Sequence, residues 1–196
     1  ILLLVNYYTE KSVPLSGCFG ESLLASAFQE TYLAQIDTKQ DMLSHQLDSL
    51  EDIEIPAGKM EEAKQEDLAL MTQWMIDFQK EAQAPPFRSE EALKKSTQNH
   101  IDKAVLYKWV VDGIAVSCAA NHRNTPNNGI IGFVYTPSKF RGQGFATAVV
   151  WKLSEHILLQ GYQACGLFTD IANPKSNKIY KKIGYQKKAT FSGISF

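Results

Sequence analysis

An arginine and two glycines at the start of a helical stretch form the segment of this chain best suited to chemistry. Arg141, Gly142 and Gly144 follow one apolar run and precede a second with helical spacing. Glycine lets the backbone come close to a ligand, and the first amides of a helix have no partner within it. The helix dipole adds partial positive charge, and the guanidinium is a fixed cation. The segment therefore predicts a phosphate-binding loop.

A second group of polar side chains follows where another apolar run ends. Asn173-Pro174 is typical of a turn, and the residues after it have the spacing of a short helix. Such a helix places Asn173 and Tyr180 about two turns apart, with Ser176 between them. These side chains offer an amide, a hydroxyl and a phenol to a ligand.

Together the two segments resemble the GNAT acetyltransferases. In that superfamily an Arg/Gln-x-x-Gly-x-Gly/Ala loop binds the pyrophosphate of acetyl-CoA, and the similar stretch here is Arg141-Gly-Gln-Gly144-Phe-Ala146. A later Asn, a small residue and a Tyr line the pantetheine and the sulfur, which points to Asn173, Ser176 and Tyr180. The closing Tyr-Lys-Lys-Ile-Gly-Tyr185 is also similar to the family. The resemblance covers roughly residues 105–190 and is thin before them.

The resemblance implies an enzyme that transfers an acetyl group from acetyl-CoA to an amine by direct attack. Tyr180 is the implied general acid, because a phenol with a pKa near ~10 can protonate a departing thiolate, whose thiol has a pKa near ~8.5. Backbone groups of one central strand are implied to pair with the pantetheine arm. The implied cofactor-binding residues are Phe133, Val134, Tyr135, Arg141, Gly142, Gln143, Gly144, Ala146, Thr147, Asn173, Ser176 and Tyr180.

The sequence leaves the general base open. Asp170 ends an apolar run and is the first candidate, but an Asp at this place equally suits capping of the Asn-Pro turn. His122 and Glu81 are weaker candidates, since a loop histidine and a helix glutamate are commonly just solvated. We therefore expect no particular base.

The hydrophobic pattern predicts a mixed α/β fold with a mixed sheet. Asp112-Gly113 between two apolar runs predicts a hairpin. The strands 129–136 and 164–170 are predicted to run parallel, joined by a crossover helix, and in GNAT proteins these two strands splay apart. From residue 59 onward the predicted strands are 59–63, 105–111, 114–120, 129–136, 164–170 and 185–196, and the helices are 65–84, 89–103, 144–159 and 174–182.

The N-terminal part is predicted to be a small separate lobe. Residues 1–8 suggest a buried strand and 20–35 a helix, while 38–53 suit either a helix or a strand. The Glu54-Ile-Pro-Ala-Gly58 stretch looks like a joint. We therefore expect a diverged, partial lobe over residues 1–56 and the acetyltransferase domain over 57–196. Without an initiator Met, the chain is expected to begin partway through a longer protein.

Composition narrows the partners. The net charge is -1 and charged residues make up 21% of the chain, so nothing favours nucleic acid or an anionic membrane. Three cysteines without paired spacing predict thiols in a reducing compartment, and the four histidines show no zinc-like grouping. We expect a cytoplasmic protein without a metal, a monomer or homodimer that acts on a small-molecule or peptide amine.

Two other interpretations compete with an acetyltransferase. The stretch Gly142-x-Gly144-x-x-Thr147 resembles a dinucleotide fingerprint, but it lacks the third small residue, and the hairpin before it argues against repeated strand–helix units. The stronger alternative is a catalytically silent acyl-CoA-binding sensor or interaction module, because no base is evident. A transfer assay over a panel of amines separates this alternative from an enzyme.

Overall fold

A computed structural model of the chain describes residues 1–12, 14–32, 35–82 and 88–196. Six α-helices and eight β-strands lie in these residues. The helices are α1 Leu2–Glu10, α2 Ser22–Tyr32, α3 Leu68–Ala82, α4 Glu90–Asp102, α5 Phe145–Leu159 and α6 Pro174–Ile183. The strands are β1 Gly17–Glu21, β2 Thr38–Leu47, β3 Lys59–Glu62, β4 Leu106–Val111, β5 Ile114–Asn121, β6 Asn128–Tyr135, β7 Ala164–Asp170 and β8 Gln186–Ser195.

The chain divides into two compact units. The first comprises Ile1–His45, Phe168–Asn177 and Lys187–Phe196, and the second comprises Gln46–Leu167 and Lys178–Gln186. In the first unit β1 pairs with β8 in antiparallel register, and β2 neighbours β8 on its other side. The first unit therefore combines segments from both ends of the chain. The predicted lobe 1–56 and domain 57–196 stay predictions.

The second unit is built on a mixed sheet. Strands β3, β4, β5 and β6 pair in sequence order, each antiparallel to the next. The hairpin turn between β4 and β5 has φ values of 48° at Asp112 and 78° at Gly113, as a tight two-residue hairpin turn requires. Strand β7 then pairs with β6 in parallel, from Asn128↔Ala164 to Ile131↔Leu167. Helix α5 is the crossover connection between these two strands.

Hydrophobic clusters cover both faces of this sheet. On one face the buried side of α5, including Leu153 and Ile157, packs with Ala119 of β5. On the other face Met71 of α3 packs with Cys118 of β5. Neighbouring residues of β5 thus belong to different clusters, because successive side chains of a strand point to opposite faces. Helices on both sides hold the β6–α5 connection firmly in place.

The predicted mixed α/β fold is confirmed, and the elements of the second unit lie where the pattern places them. Helix α5 covers nearly all of the predicted 144–159, and β7 occupies the predicted 164–170. Ser89, the first residue of the predicted helix 89–103, caps α4, because its hydroxyl accepts a hydrogen bond of 3.2 Å from the amide of Ala92. The end of the predicted helix 65–84 lies outside the described residues.

The N-terminal prediction is wrong in part. Residues 1–8 were expected to form a buried strand, but Leu2–Glu10 is helix α1, in which Val5 is buried and Leu3 is 86% exposed. A short apolar run does not distinguish a strand from a helix, and here the segment forms helical bonds such as that from Val5 N–H to the Ile1 carbonyl. Strand β1 was not predicted. The ambiguous 38–53 contains β2, and the predicted helix 20–35 begins at Ser22.

Candidate phosphate-binding site

The loop between β6 and α5 has the backbone conformation of an anion-binding site. After a 3₁₀ turn at Ser138–Phe140, Arg141 is extended, and Gly142 and Gly144 take left-handed φ values of 80° and 83°. Gly144 is the N-cap of α5, and a glycine has no side chain with which to cap the helix. The first amides of α5 are therefore available to a ligand rather than to a capping side chain.

Glycine is required in this loop by conformation more than by crowding. A β-carbon added to Gly142 would meet no atom of the described chain within 4 Å, and one added to Gly144 would come only within 3.5 Å of Pro56 Cδ. Positive φ values still disfavour any residue with a β-carbon at both places. The open space beside the glycines is the room that a phosphate group needs.

The other predicted residues of the loop differ in exposure. Gln143 is exposed, Ala146 is half-buried and Thr147 is buried. Lys139 lies over the ring of Phe140, with its ammonium nitrogen 4.7 Å from the ring centroid. The positive charge of the loop region therefore comes from Lys139 and Arg141 together with the helix dipole.

Arg141 is held by three neighbours. Its Nε donates to the Thr136 carbonyl at 2.8 Å, and its Nη2 donates to Oε2 of Glu81 at 2.6 Å. Its guanidinium carbon lies 5.7 Å from the ring centroid of Tyr135. The phenol of Tyr135 donates to the second oxygen of Glu81 at 3.0 Å. Burial, followed by this bond to Glu81, raises the pKa of Tyr135 to about 12.

Strand β6 is irregular just before the loop. Tyr135 pairs with Cys118 and Gly132 with Ala120, so two residues of β6, Phe133 and Val134, lie opposite one residue of β5. This is a β-bulge, and it gives Phe133 a φ of 47°, which is rare for an aromatic residue. The bulge lies beyond the last registered pair with β7, at Ile131↔Leu167. Strained bulges of this kind concentrate at functional sites.

Tyr180 lies in the core of the second unit. Its ring is 7% exposed and makes an edge contact with Tyr185, with ring centroids 5.9 Å apart. Burial raises the pKa of Tyr180 well above the ordinary value for a phenol. A phenol in this environment stays protonated at neutral pH and keeps a proton to donate. The hydroxyl of Tyr185, in contrast, bonds with that of Ser154 at 2.8 Å.

Asn173 and Ser176 belong to the first unit, where they cap the start of α6. The Asn173 side-chain oxygen accepts from the Ser176 amide at 3.2 Å, and the Ser176 hydroxyl donates to the Asn173 carbonyl at 3.0 Å. Asp170 lies in the same unit and has both carboxylate oxygens occupied. They accept from the Ala172 amide at 2.7 Å and from Gln40 Nε2 at 3.0 Å. The capping role that competed with the base role is thus present.

His122, a weak candidate for the base, is half-buried rather than fully exposed to solvent. Its ring stacks on that of His100, with centroids 5.1 Å apart, and its Nδ1 is a buried atom without a hydrogen-bond partner among the described residues. Burial, then the charge of Arg123, lowers the pKa of His122 to about 4. In the part of the chain that the structure describes, no group of three or more His, Cys, Asp or Glu side chains is arranged to hold a metal ion.

Comparison with known proteins agrees with the fold. Residues 110–192 match the family model described as FR47-like protein. No curated protein gives a match to the sequence. None of the helices in the described ranges is long and apolar enough to span a membrane.

Solved structures share the fold across the chain. A GNAT-family acetyltransferase from Colwellia psychrerythraea matches with a TM-score of 0.71 at 19% identity, over 99% of this chain and 71% of that one. A GCN5-related N-acetyltransferase from Sphaerobacter thermophilus matches with a TM-score of 0.65 at 16% identity, over 96% of this chain and 62% of that one. The chain thus spans about two thirds of the length of these two proteins.

A third match is to a structure solved with acetyl-CoA. It is an acetyltransferase from Clostridium acetobutylicum with acetyl-CoA, with a TM-score of 0.54 at 19% identity, over 67% of this chain and 92% of that one. Identities this low show the fold alone. The chain therefore has the fold of the GNAT acetyltransferases, and the predicted resemblance to that superfamily is confirmed at the level of the fold.

The sequence missed two features of this region. The bulge at Phe133 directly follows Gly132, and an isolated glycine inside a strand pattern is the signal that could have indicated it. The bonds from Glu81 to Arg141 and Tyr135 join α3 to the loop, whereas Glu81 was only a weak candidate for the base. The one sequence signal for this contact is the opposite charge of Glu81 and Arg141, which does not by itself place the two side chains together.

Proposed function

We propose that the chain binds acetyl-CoA and transfers its acetyl group to an amine. The observation that carries this proposal is the β6–α5 loop, in which two left-handed glycines precede a helix without a side-chain cap. Amides of Gly142, Gln143, Gly144 and Ala146 would hold the diphosphate, and backbone groups of the bulged Phe133–Tyr135 stretch would pair with the pantetheine arm. The GNAT fold of the chain supports this use of the site.

Bound acetyl-CoA would supply a thioester, so that an amine nitrogen forms the new C–N bond as the C–S bond breaks. The chain must then remove one proton from nitrogen and give one to sulfur. We assign the second task to Tyr180, whose phenol is protonated at neutral pH; because burial raises its pKa and makes it a weaker acid, it would first stabilise the departing sulfur by a hydrogen bond. We assign no residue to the first task.

A catalytically silent acyl-CoA sensor is the second candidate, and one observation favours it. Both carboxylate oxygens of Asp170, the first candidate for the base, accept hydrogen bonds from Gln40 and from the Ala172 amide, so this carboxylate has a structural role instead. A sensor would need the loop and the bulge but no base.

Two measurements separate these functions. Calorimetry with coenzyme A tests the loop, and release of free thiol from acetyl-CoA over a panel of amines, checked by the mass of the product, tests transfer. An enzyme gives both signals. Binding without transfer across the panel supports the sensor, and absence of binding contradicts both proposals.

A further inference from the structure

Four aromatic side chains form a cluster beside the loop, on the α3 face of the sheet. The ring of Phe78 makes edge contacts with Phe133 and Tyr135, with centroids 5.7 and 6.4 Å apart, and Trp74 lies 6.2 Å from Tyr135. Phe78 is 37% exposed, whereas the other three are buried. The cluster therefore offers an apolar surface to solvent at Phe78, in direct contact with the bulged residue Phe133.

A carboxylate lies at the edge of this surface. Glu81 follows Phe78 by three residues on α3, so both side chains lie on the same side of the helix. One oxygen of Glu81 accepts from the Tyr135 phenol, and the other accepts from Arg141. The side chain of Glu81 is nonetheless 47% exposed. A negative charge thus faces solvent next to aromatic rings.

The partner of this carboxylate is the cation of the phosphate-binding loop. An ion pair between half-exposed side chains contributes at most about 1 kcal/mol, because water screens it. A diphosphate offers the guanidinium more charge and charge-assisted, bidentate bonds, which are stronger. Binding of coenzyme A at the loop would therefore draw Arg141 away from Glu81 and leave the carboxylate without its cation.

We propose that Glu81 then binds the ammonium group of the acceptor, whose apolar body lies on Phe78. This inference rests on the proposed function and adds the class of acceptor, an amine attached to an apolar or aromatic skeleton. The negative carboxylate attracts the positive ammonium group. The aromatic rings attract a cation through their faces and also pack against an apolar group. The ammonium group must release one proton to solvent before its nitrogen attacks, and the acetylated product is neutral, so it loses its attraction to Glu81 and leaves.

The test uses benzylammonium as the acceptor probe and calorimetry as the measurement. With coenzyme A at saturation, benzylammonium is expected to bind the wild-type chain at least about tenfold more tightly than benzyl alcohol, its neutral counterpart. Glu81→Gln is expected to lower the affinity for benzylammonium by about tenfold and to leave that for benzyl alcohol unchanged. The affinity for coenzyme A is expected to stay equal or rise in Glu81→Gln, because Arg141 no longer has a competing carboxylate.

Glu155→Gln is the matched control, since Glu155 is a half-exposed carboxylate in an ion pair with Lys152 on α5, outside the aromatic cluster, and its replacement changes the net charge by the same amount. It is expected to leave benzylammonium binding unchanged, so an equal loss in both variants overturns the inference. Two further results would overturn the inference when coenzyme A still binds. One is equal benzylammonium affinity in the wild type and Glu81→Gln, and the other is no benzylammonium binding at all. If the wild-type chain does not bind coenzyme A, the proposed function fails and the inference fails with it.

Discussion

Nη2 of Arg141 lies 2.6 Å from Oε2 of Glu81, so the cation of the glycine loop is paired with a carboxylate of helix α3. The two residues are far apart in sequence and come together because α3 and the β6–α5 loop lie on the same side of the second unit. The pair links the two halves of the proposed reaction, since one partner is suited to a diphosphate and the other to an ammonium group.

Loss of the Arg141 cation is expected to weaken cofactor binding. Arg141→Gln should raise the Kd for coenzyme A by about tenfold, because one charge-assisted contact is lost. The salt dependence of binding should also become shallower. Arg123→Gln removes the same charge elsewhere in the second unit and should leave the Kd unchanged. An equal effect of the two variants in calorimetry would mean that Arg141 acts only through the net charge.

Gly144 tests the loop backbone. Gly144→Val should raise the Kd for coenzyme A at least about tenfold, because a branched side chain disfavours the φ of 83° and fills the space beside the first amides of α5. Gly161 has a φ of 93° beyond the other end of α5, so Gly161→Val provides the control. Gly144→Val and Gly161→Val should each lose about 1–2 kcal/mol of unfolding free energy. Only Gly144→Val should lose affinity, and unchanged affinity there would remove the loop assignment.

Tyr180 is expected to act in the chemical step. Tyr180→Phe should lower kcat by about 10²–10⁴ while the Kd for acetyl-CoA changes little, because the ring stays and only the proton donor is lost. Tyr185→Phe removes the neighbouring phenol of the same core. Its loss of the bond to Ser154 should cost about 1 kcal/mol of stability without lowering kcat. Near-normal turnover of Tyr180→Phe would end its role as the acid.

The half-buried histidine pair His100 and His122 predicts a loss of stability in acid. The pKa of His122 falls from 6.5 to about 4 on folding. Its neutral form is thus favoured in the folded state, and its contribution is complete above pH 6.5 and lost as the pH falls toward 4. After allowance for solvent screening, this amounts to about 1–2 kcal/mol.

Urea unfolding at neutral and acid pH checks this expectation. In His122→Phe, whose ring can still stack on His100, the loss of unfolding free energy between pH 7.5 and 4.5 should be smaller than in the wild type by about 1–2 kcal/mol. Other groups titrate equally in both proteins and cancel in the difference. An identical acid loss in the two proteins would show that His122 is not held neutral by the fold.

Local signals made the second unit predictable from sequence. The Asp112-Gly113 turn, the Ser89 cap and the helical spacing of α5 each depend on residues close together in the chain. The glycine loop belongs to the same class, since its two left-handed residues are glycines. The strand predicted where helix α1 lies is wrong because five apolar residues fit either a strand or a helix, and the choice depends on what they pack against.

The rest of the site depends on contacts that the sequence does not announce. The bulge at Phe133 arises from the register of β6 against β5, and the Arg141–Glu81 pair from the packing of α3 beside the loop. Neither follows from propensity or periodicity. Both the bulge and the ion pair result from tertiary packing between segments that are distant in the sequence.

The central claim is that the β6–α5 loop binds a diphosphate through its backbone. A crystal structure of the chain with coenzyme A tests it most directly. We predict diphosphate oxygens within about 3 Å of the amide nitrogens of Gly142, Gly144 and Ala146, with Arg141 turned from Glu81 toward the phosphates. Coenzyme A bound elsewhere, with these amides in contact with protein side chains instead, would contradict the claim.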